Sequence, residues 1–531
     1  MTLPHTSLTD TTLVRQPAAT PLDGDPHRAF LLRGLITAAL ASLLLRLWIA
    51  GTFPITGDEA FFYWWGVYPD WGYSDHPPMV GWLIALMRAT LGDSVWSIRL
   101  PIVLLPLALG GAIWWALKGV DKVRAAWAVL FFWLAPINWL NTLITTDTPL
   151  ILWSALSIAA LMVAEQRAQF DRRAFFLYSL SGLFLGFAFL SKYFSVVLGL
   201  TYLVYFAAFR RERFAALLWM VACALPGPLI NLWYNLSHGW SNIMFNLYNR
   251  NEAELFEVRK PLIYIAMMAY LITPALLWIA FKQRRALYAA ARATLSHRLL
   301  ACLTLAPLAF FLLLSGKKVI GLHWVLSFYP FVFAYLAFAL PLDKLKTSAK
   351  GIAVFAALHV LLVAGLTMTS LETWRTTRIY PQIIRSYQTA DILKQVSHPG
   401  VVLMADAYTP ASIYGFERRD YMPVWGVGRF HARQDDMLVD FSVYQGKTIR
   451  IISMDAPKLD DYQRYFDTVA VLTFNQSGVT FYAVEGTGFN YEAYRKEILG
   501  EIHRRFYKIP PSLPMTGCPL CERFCGQVRC P

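Results

Sequence analysis

Apolar runs of about 18 or more residues recur through the first two-thirds of this chain, and each is long enough to cross a hydrocarbon core as a helix. A chain with this pattern must satisfy its backbone polar groups inside helices, because lipid offers them no partner. Only 15% of its 531 residues are charged, against roughly 25% in soluble domains. The reading is a polytopic α-helical membrane protein. The net charge of +14 then needs no nucleic acid to explain it, since Lys and Arg collect in cytoplasmic loops. Trp and Tyr, 19 and 26 in number, suit the two membrane–water boundaries.

Spans are expected near 29–51, 96–118, 124–142, 146–165, 174–190, 193–209, 214–234, 261–281, 299–315, 322–340 and 350–370, about eleven in all. The first reads as a retained signal anchor, being too long for a cleaved leader and lacking a small-residue cleavage site. "MVGWLIALMRATL", Met79 to Leu91, is short and interrupted by Arg88, which suits an interfacial or re-entrant helix. The distribution of cations settles its place. With this piece on the surface and the N-terminus inside, the cytoplasmic loops gather Lys118, Lys122 and Arg124; Arg210, Arg211 and Arg213; Arg284, Arg285, Arg292 and Arg298; and Lys344, Lys346 and Lys350. If it spanned, that bias would reverse. Four parts follow: a disordered cytoplasmic tail over 1–28, a transmembrane domain over 29–370 with a juxtamembrane first outer loop, a periplasmic α/β domain over 371–508, and a Cys-rich tail over 509–531. "GVVLMAD", "TIRIISM", "DTVAVLTF" and "VTFYAVEG" read as strands of the α/β domain, and "TPASIYGF" and 491–507 as helices.

This topology gathers chemistry on the outer side of the membrane. The first outer loop, "GDEAFFYWWGVYPDWGYSDHPPMVGWL", carries Asp58, Glu59, Asp75 and His76. Asp147 stands in "ITTDTPL", Lys192 in "FLSKYF", and His238 and Arg250 in the loop that begins "NLWYNLSHGW". Lys317, Lys318 and His323 fall in "SGKKVIGLHW". Outward cations are scarce, so those present are expected to bind a lipid-linked phosphate at the same depth. A carboxylate beside it can take the proton of an incoming hydroxyl. Asp58 and Glu59 are adjacent, hence about 100° apart on a helix, so one is expected to be catalytic and the other structural. Each residue also has a plainer reading. Asp58 and Asp147 suit helix N-termini, Lys192 a snorkelling cation, and His323-Trp324 an interfacial anchor.

In combination these stretches resemble the C-type glycosyltransferases, which use polyprenyl-phosphate sugars. The branch resembled is that of bacterial protein O-mannosyltransferases and lipid A aminoarabinose transferases. The resemblance rests on "GDEAFFYWW", "YSDHPPMVGWL", "TTDTPLILW", "GFAFLSKYF", "NLWYNLSHGWSNIMF" and "GKKVIGLHWVLSFYP", in order over residues 30–340. It implies a flipped polyprenyl (undecaprenyl) phosphate sugar as donor, and catalysis by an acidic residue of the first outer loop, here Asp58 with Glu59 beside it. The implied acceptor is lipid A, lipopolysaccharide or another envelope glycolipid, with protein Ser/Thr as the alternative. Where the aminoarabinose branch has a Lys before Pro-Pro, this chain has His76, whose charge depends on pH near neutrality. Phosphate binding therefore shifts toward Lys192, Arg250, Lys317 and Lys318, with His323 beside them.

No nucleotide site is expected: "LSGKKV" lacks the first Gly and the Ser/Thr of a phosphate-binding loop. No metal cofactor is assigned, although Asp58, Asp75 and His76 are types that hold a divalent cation. Four of the six cysteines, Cys518, Cys521, Cys525 and Cys530, crowd the tail. Disulfides are the plainer reading in an oxidising compartment, and zinc the alternative. A transporter or lipid flippase would carry its ionisable groups mid-span along a pathway; here they gather at the outer rim. Nothing in the sequence sets the oligomeric state.

Overall fold

A computed structural model describes residues 25–249, 256–428 and 433–530. Among the described residues, seven helices are long and apolar enough to cross a membrane: Arg28–Thr52, Val95–Leu117, Asp147–Glu165, Arg172–Ser191, the composite Arg211–Ser237, Leu295–Ser315 and Leu342–Met368. Polar residues set many of their starts. Ser94 forms a capping box with Ser97, and Asp171 accepts from the Ala174 amide, each satisfying amides that the first turn leaves orphaned.

The expectation of about eleven similar spans is corrected in two ways. The segment 261–281 is two helices, Arg259–Ile272 and Pro274–Lys282, bent by 92°. Thr273 adopts φ 74° between them, its hydroxyl caps the Leu276 amide, and Pro274 opens the second helix. A proline has no amide to continue the first ladder, so the helix breaks there. Counted as one span, the pair makes eight. Three other segments form helices of 13, 15 and 11 residues, Lys122–Leu134, Ser195–Phe209 and Tyr329–Ala339. Each is shorter than the ~20 residues of a full crossing. Met79–Leu91 is a separate 13-residue helix. It packs on helix Gly57–Val67, where a Cβ on Gly66 would meet Ile84 Cγ2 at 2.4 Å.

Beyond residue 371 lies an α/β unit with a four-stranded sheet: β1 (Val402–Ala405), β2 (Ile449–Ser453), β3 (Thr468–Gln476) and β4 (Val479–Thr487), in the order β1-β2-β4-β3. β1 and β2 are parallel, with Val402 opposite Ile449; β4 is antiparallel to both β2 and β3. Period-2 alternation sends Ile449 and Ile451 into one apolar cluster and Ile452 into the other.

Two seams join this unit to the membrane part. At the first, helix Tyr408–Arg418 lies against Gly57–Val67. A Cβ on Gly57 would fall 2.2 Å from Thr409 Cγ2, so only glycine permits the approach. Trp64 Nε1 donates to the Ser412 carbonyl at 3.4 Å, and Arg419 meets Asp93 at 3.2 Å. At the second, the tail crosses loop 236–240. The Thr516 amide donates to the Leu236 carbonyl, and the Gly239 amide to that of Gly517. Trp240 Nε1 donates to the Pro514 carbonyl at 2.8 Å. Disulfides link Cys518 to Cys521 and Cys525 to Cys530.

Candidate active site

The polypeptide between helices Arg28–Thr52 and Gly57–Val67 turns over at Thr56, which caps the second helix in a reciprocal box with Glu59. That box fixes the direction of the two carboxylates that follow it. Glu59 turns inward and is fully buried; Arg99 Nε and Nη2 donate to its two oxygens at 2.9 and 2.7 Å. Arg99 spends its remaining donors on the carbonyls of Phe53 and Pro54. The pair ties three elements together, and a carboxylate so enclosed cannot touch a substrate. A catalytic part for Glu59 is therefore withdrawn; it is a brace.

Asp58, the next residue around the helix, faces a cavity of about 520 Å³. Asp75, His76, Asp147, Lys192, His323 and Tyr408 share that lining with it. His76 Nδ1 lies 3.0 Å from Asp75 Oδ2, an ion pair when the ring is protonated. The loop bearing them is pinned from three sides. Asn242 donates to the Tyr73 carbonyl at 2.8 Å, Asn246 to that of Asp75 at 2.8 Å, and the Ser74 amide to Gln434 Oε1 at 3.0 Å. Beneath it, Tyr73 stacks on Trp65 with ring centroids 4.3 Å apart.

Lys192 ends helix Arg172–Ser191, and Asp147 begins helix Asp147–Glu165. Each charge thus stands at the helix end whose dipole favours it. The ammonium sits 2.9 and 3.0 Å from the two Asp147 oxygens. Asp147 is therefore a counter-ion rather than a cap, and an ammonium has three donors, so one remains for a ligand.

Tyr408 comes from the α/β unit, and its hydroxyl donates to Asp58 Oδ1 at 3.3 Å. Burial among these walls pushes the Asp58 carboxyl above its ordinary value. The Tyr408 hydrogen bond draws it back down, and Asp75 raises it again. No spacing rule joins residues 350 positions apart. The one sequence signal for Tyr408 was its place in "MADAYTPASIYGF", the stretch that follows strand β1.

Several sequence-predicted residues lie elsewhere. Lys317 is exposed and off the cavity lining, and its carbonyl accepts from Lys260 at 2.9 Å. Lys318 is half-buried and also off it. Both stand in the turn after helix Leu295–Ser315 and its C-cap Gly316. His238 stacks on Tyr234 at 4.1 Å, with Nε2 3.4 Å from Asp70, apart from the cavity. Arg250 lies outside the described residues. Among those residues, the set of His, Cys and carboxylate atoms close enough to share a metal is His503, Cys521 and Cys530, within 4.8 Å. It belongs to the α/β unit, and both of its cysteines are in disulfides.

Comparison with known proteins agrees with the motif resemblance. Residues 75–230 match the family described as dolichyl-phosphate-mannose-protein mannosyltransferase. The lipid A galacturonosyltransferase RgtD of Rhizobium johnstonii is 30% identical over 235 residues, which are 40% of this chain and 48% of that protein. The chain thus spans about half the length of this curated relative. The fold is that of ArnT from Cupriavidus metallidurans. Its crystal structure bound to undecaprenyl phosphate superposes with a TM-score of 0.60 at 13% identity, covering 86% of this chain and 97% of that one. The apo structure gives 0.59 at 14% identity, over 85% and 98% of the two chains. The family and the relative matched by sequence are both described as sugar transferases, and the ArnT structures share the fold.

Proposed function

We propose that this chain is a glycosyltransferase that moves a sugar from polyprenyl phosphate to an envelope glycolipid, of which lipid A is the leading candidate, on the periplasmic side of the inner membrane. The observation that carries this reading is the shared cavity of Asp58, His76, Lys192 and Tyr408. The acceptor hydroxyl oxygen attacks the anomeric carbon as the bond from that carbon to the phosphate oxygen breaks. Asp58 takes the hydroxyl proton, and polyprenyl phosphate leaves with the electron pair. The spare donor of Lys192 and the ring of His76 meet the growing charge on the phosphate, in a cleft where fixed donors act more strongly than in water. The bond to phosphate is already activated, so the scheme needs no nucleotide. The sided reading rests on the charge bias of the loops and places the α/β unit outside.

The relative that acts on lipid A supports a glycolipid acceptor, and the matched mannosyltransferase family supports protein Ser/Thr as the second reading. One assay separates them. Membranes containing the protein are given polyprenyl-phosphate sugars together with lipid A and an unglycosylated envelope protein, and both acceptors are weighed by mass spectrometry. A sugar-sized gain on lipid A alone is expected. Gain on neither acceptor, with every donor offered, rejects the reading.

Asp58 must be ionised to accept a proton. Its carboxyl lies above the ordinary value, so transfer is lost as pH falls through that raised value. Tyr408→Phe removes the hydrogen bond that lowers it. The acid limb of kcat/KM is therefore expected to move to higher pH in this variant, while the limb's shape is kept. An unmoved limb means that another group titrates.

A further inference from the structure

A second cavity, of about 900 Å³, lies between helices Arg28–Thr52 and Leu342–Met368, well away from Asp58. Small residues open it: Gly34 and Ala38 on the first helix and Ala353 on the second. Leu130 and Trp139 floor it. Gly34 is held flush, since a Cβ there would meet Leu130 at 3.2 Å. Val354 and Leu361 on its edge are 65% and 67% exposed, so it opens sideways toward lipid.

The groove is apolar except at one end. There Arg33 and Lys350 line the mouth, and among the described residues no acidic one lines the groove. Lys346 adds a third cation, its ammonium 5.6 Å from the centroid of the Phe30 ring, which also lines the mouth. From Lys350 to Leu361 the helix rises about 16 Å, roughly half of a ~30 Å hydrocarbon core. The groove therefore has the depth of one leaflet. Its mouth lies at the first turns of helix Arg28–Thr52, whereas Asp58 follows that helix's far end, about 28 Å of helix beyond Arg33.

We propose that this groove holds one anionic phospholipid, its phosphate against Arg33 and Lys350 and an acyl chain along the small-residue walls. Basic pockets between transmembrane helices recognise acidic headgroups in this way. The walls supply a slot for one leaflet's chain, and the mouth supplies the charge preference. A zwitterionic lipid would bring an ammonium toward Arg33 and Lys350, the charged groups among the described lining residues. The site is separate from the transfer cavity and does not depend on the proposed reaction.

The test is lipid retention by the full chain. Protein is purified in mild detergent and reconstituted in nanodiscs of phosphatidylethanolamine with phosphatidylglycerol. It is then re-extracted and washed, and its lipids are quantified per chain by mass spectrometry. The wild-type protein is expected to enrich phosphatidylglycerol over the disc composition. The double variant Arg33→Gln/Lys350→Gln is expected to lose that enrichment by up to about thirtyfold, as removal of two headgroup contacts implies. Ala353→Trp, which fills the groove and leaves the charges, is expected to lose it too. Equal retention in all three proteins overturns the proposal. So does preference for phosphatidylethanolamine, and so does a dimer held through this face with no lipid in it.

Discussion

Asp58→Asn is expected to lower sugar transfer by about 10²–10⁴-fold, the range a positioned general base contributes, with little change in folding. The amide keeps the size of the carboxylate and still accepts the Tyr408 hydroxyl on its oxygen. What it loses is the capacity to take a proton from the acceptor. Insertion, thermal unfolding in detergent and retention of polyprenyl phosphate should all match the parent, so a fall in turnover at saturating donor reports the chemical step. Parental turnover by the variant would remove Asp58 from the reaction. If the acceptor were itself an ionised phosphate, the loss would be smaller, because there would be no proton to take. The size of the effect therefore also reports on the acceptor.

Glu59→Gln is expected to do the reverse, with its main effect on stability. It leaves the Arg99 guanidinium, which has no exposed surface, without its counter-ion. Breaking a buried pair in this way costs about 3–5 kcal/mol, because the orphaned charge stays desolvated. The same carboxylate also accepts from the Thr56 amide and hydroxyl at the start of the helix, so the turn that presents Asp58 loosens with it. Thermal unfolding of the purified protein is the readout. The paired variant Glu59→Gln/Arg99→Met should recover most of the loss, since it removes the stranded charge along with its partner. A single variant as stable as the parent would show that water reaches Arg99 in the native state.

These two neighbours show what could be read from the chain alone. Their adjacency was enough to say that only one of them could face a substrate. Which one depends on Arg99, 40 positions away on another helix, and nothing local announces that pairing. Lys192 and Asp147 stood at span ends where hydropathy could place them, and the cavity holds both. Lys317 and Lys318 looked equivalent by the same reasoning, because charge and depth are visible in a sequence but the azimuth of a turn is not. The four strands fall where short apolar runs put them: β3 and β4 alternate in burial along the strand, whereas β1 and β2 are almost wholly buried. The bend at Thr273 was hidden inside a continuous apolar run. Composition averages over a Thr-Pro step, and the break is carried by one backbone angle.

The unit that supplies Tyr408 is fastened along two edges, at Gly57 against Thr409 and at loop 236–240 against the tail. A flap sewn down on both margins resists swinging up to open a path from above. Under the proposed function, donor and acceptor then reach Asp58 sideways, as two lipids that share one plane.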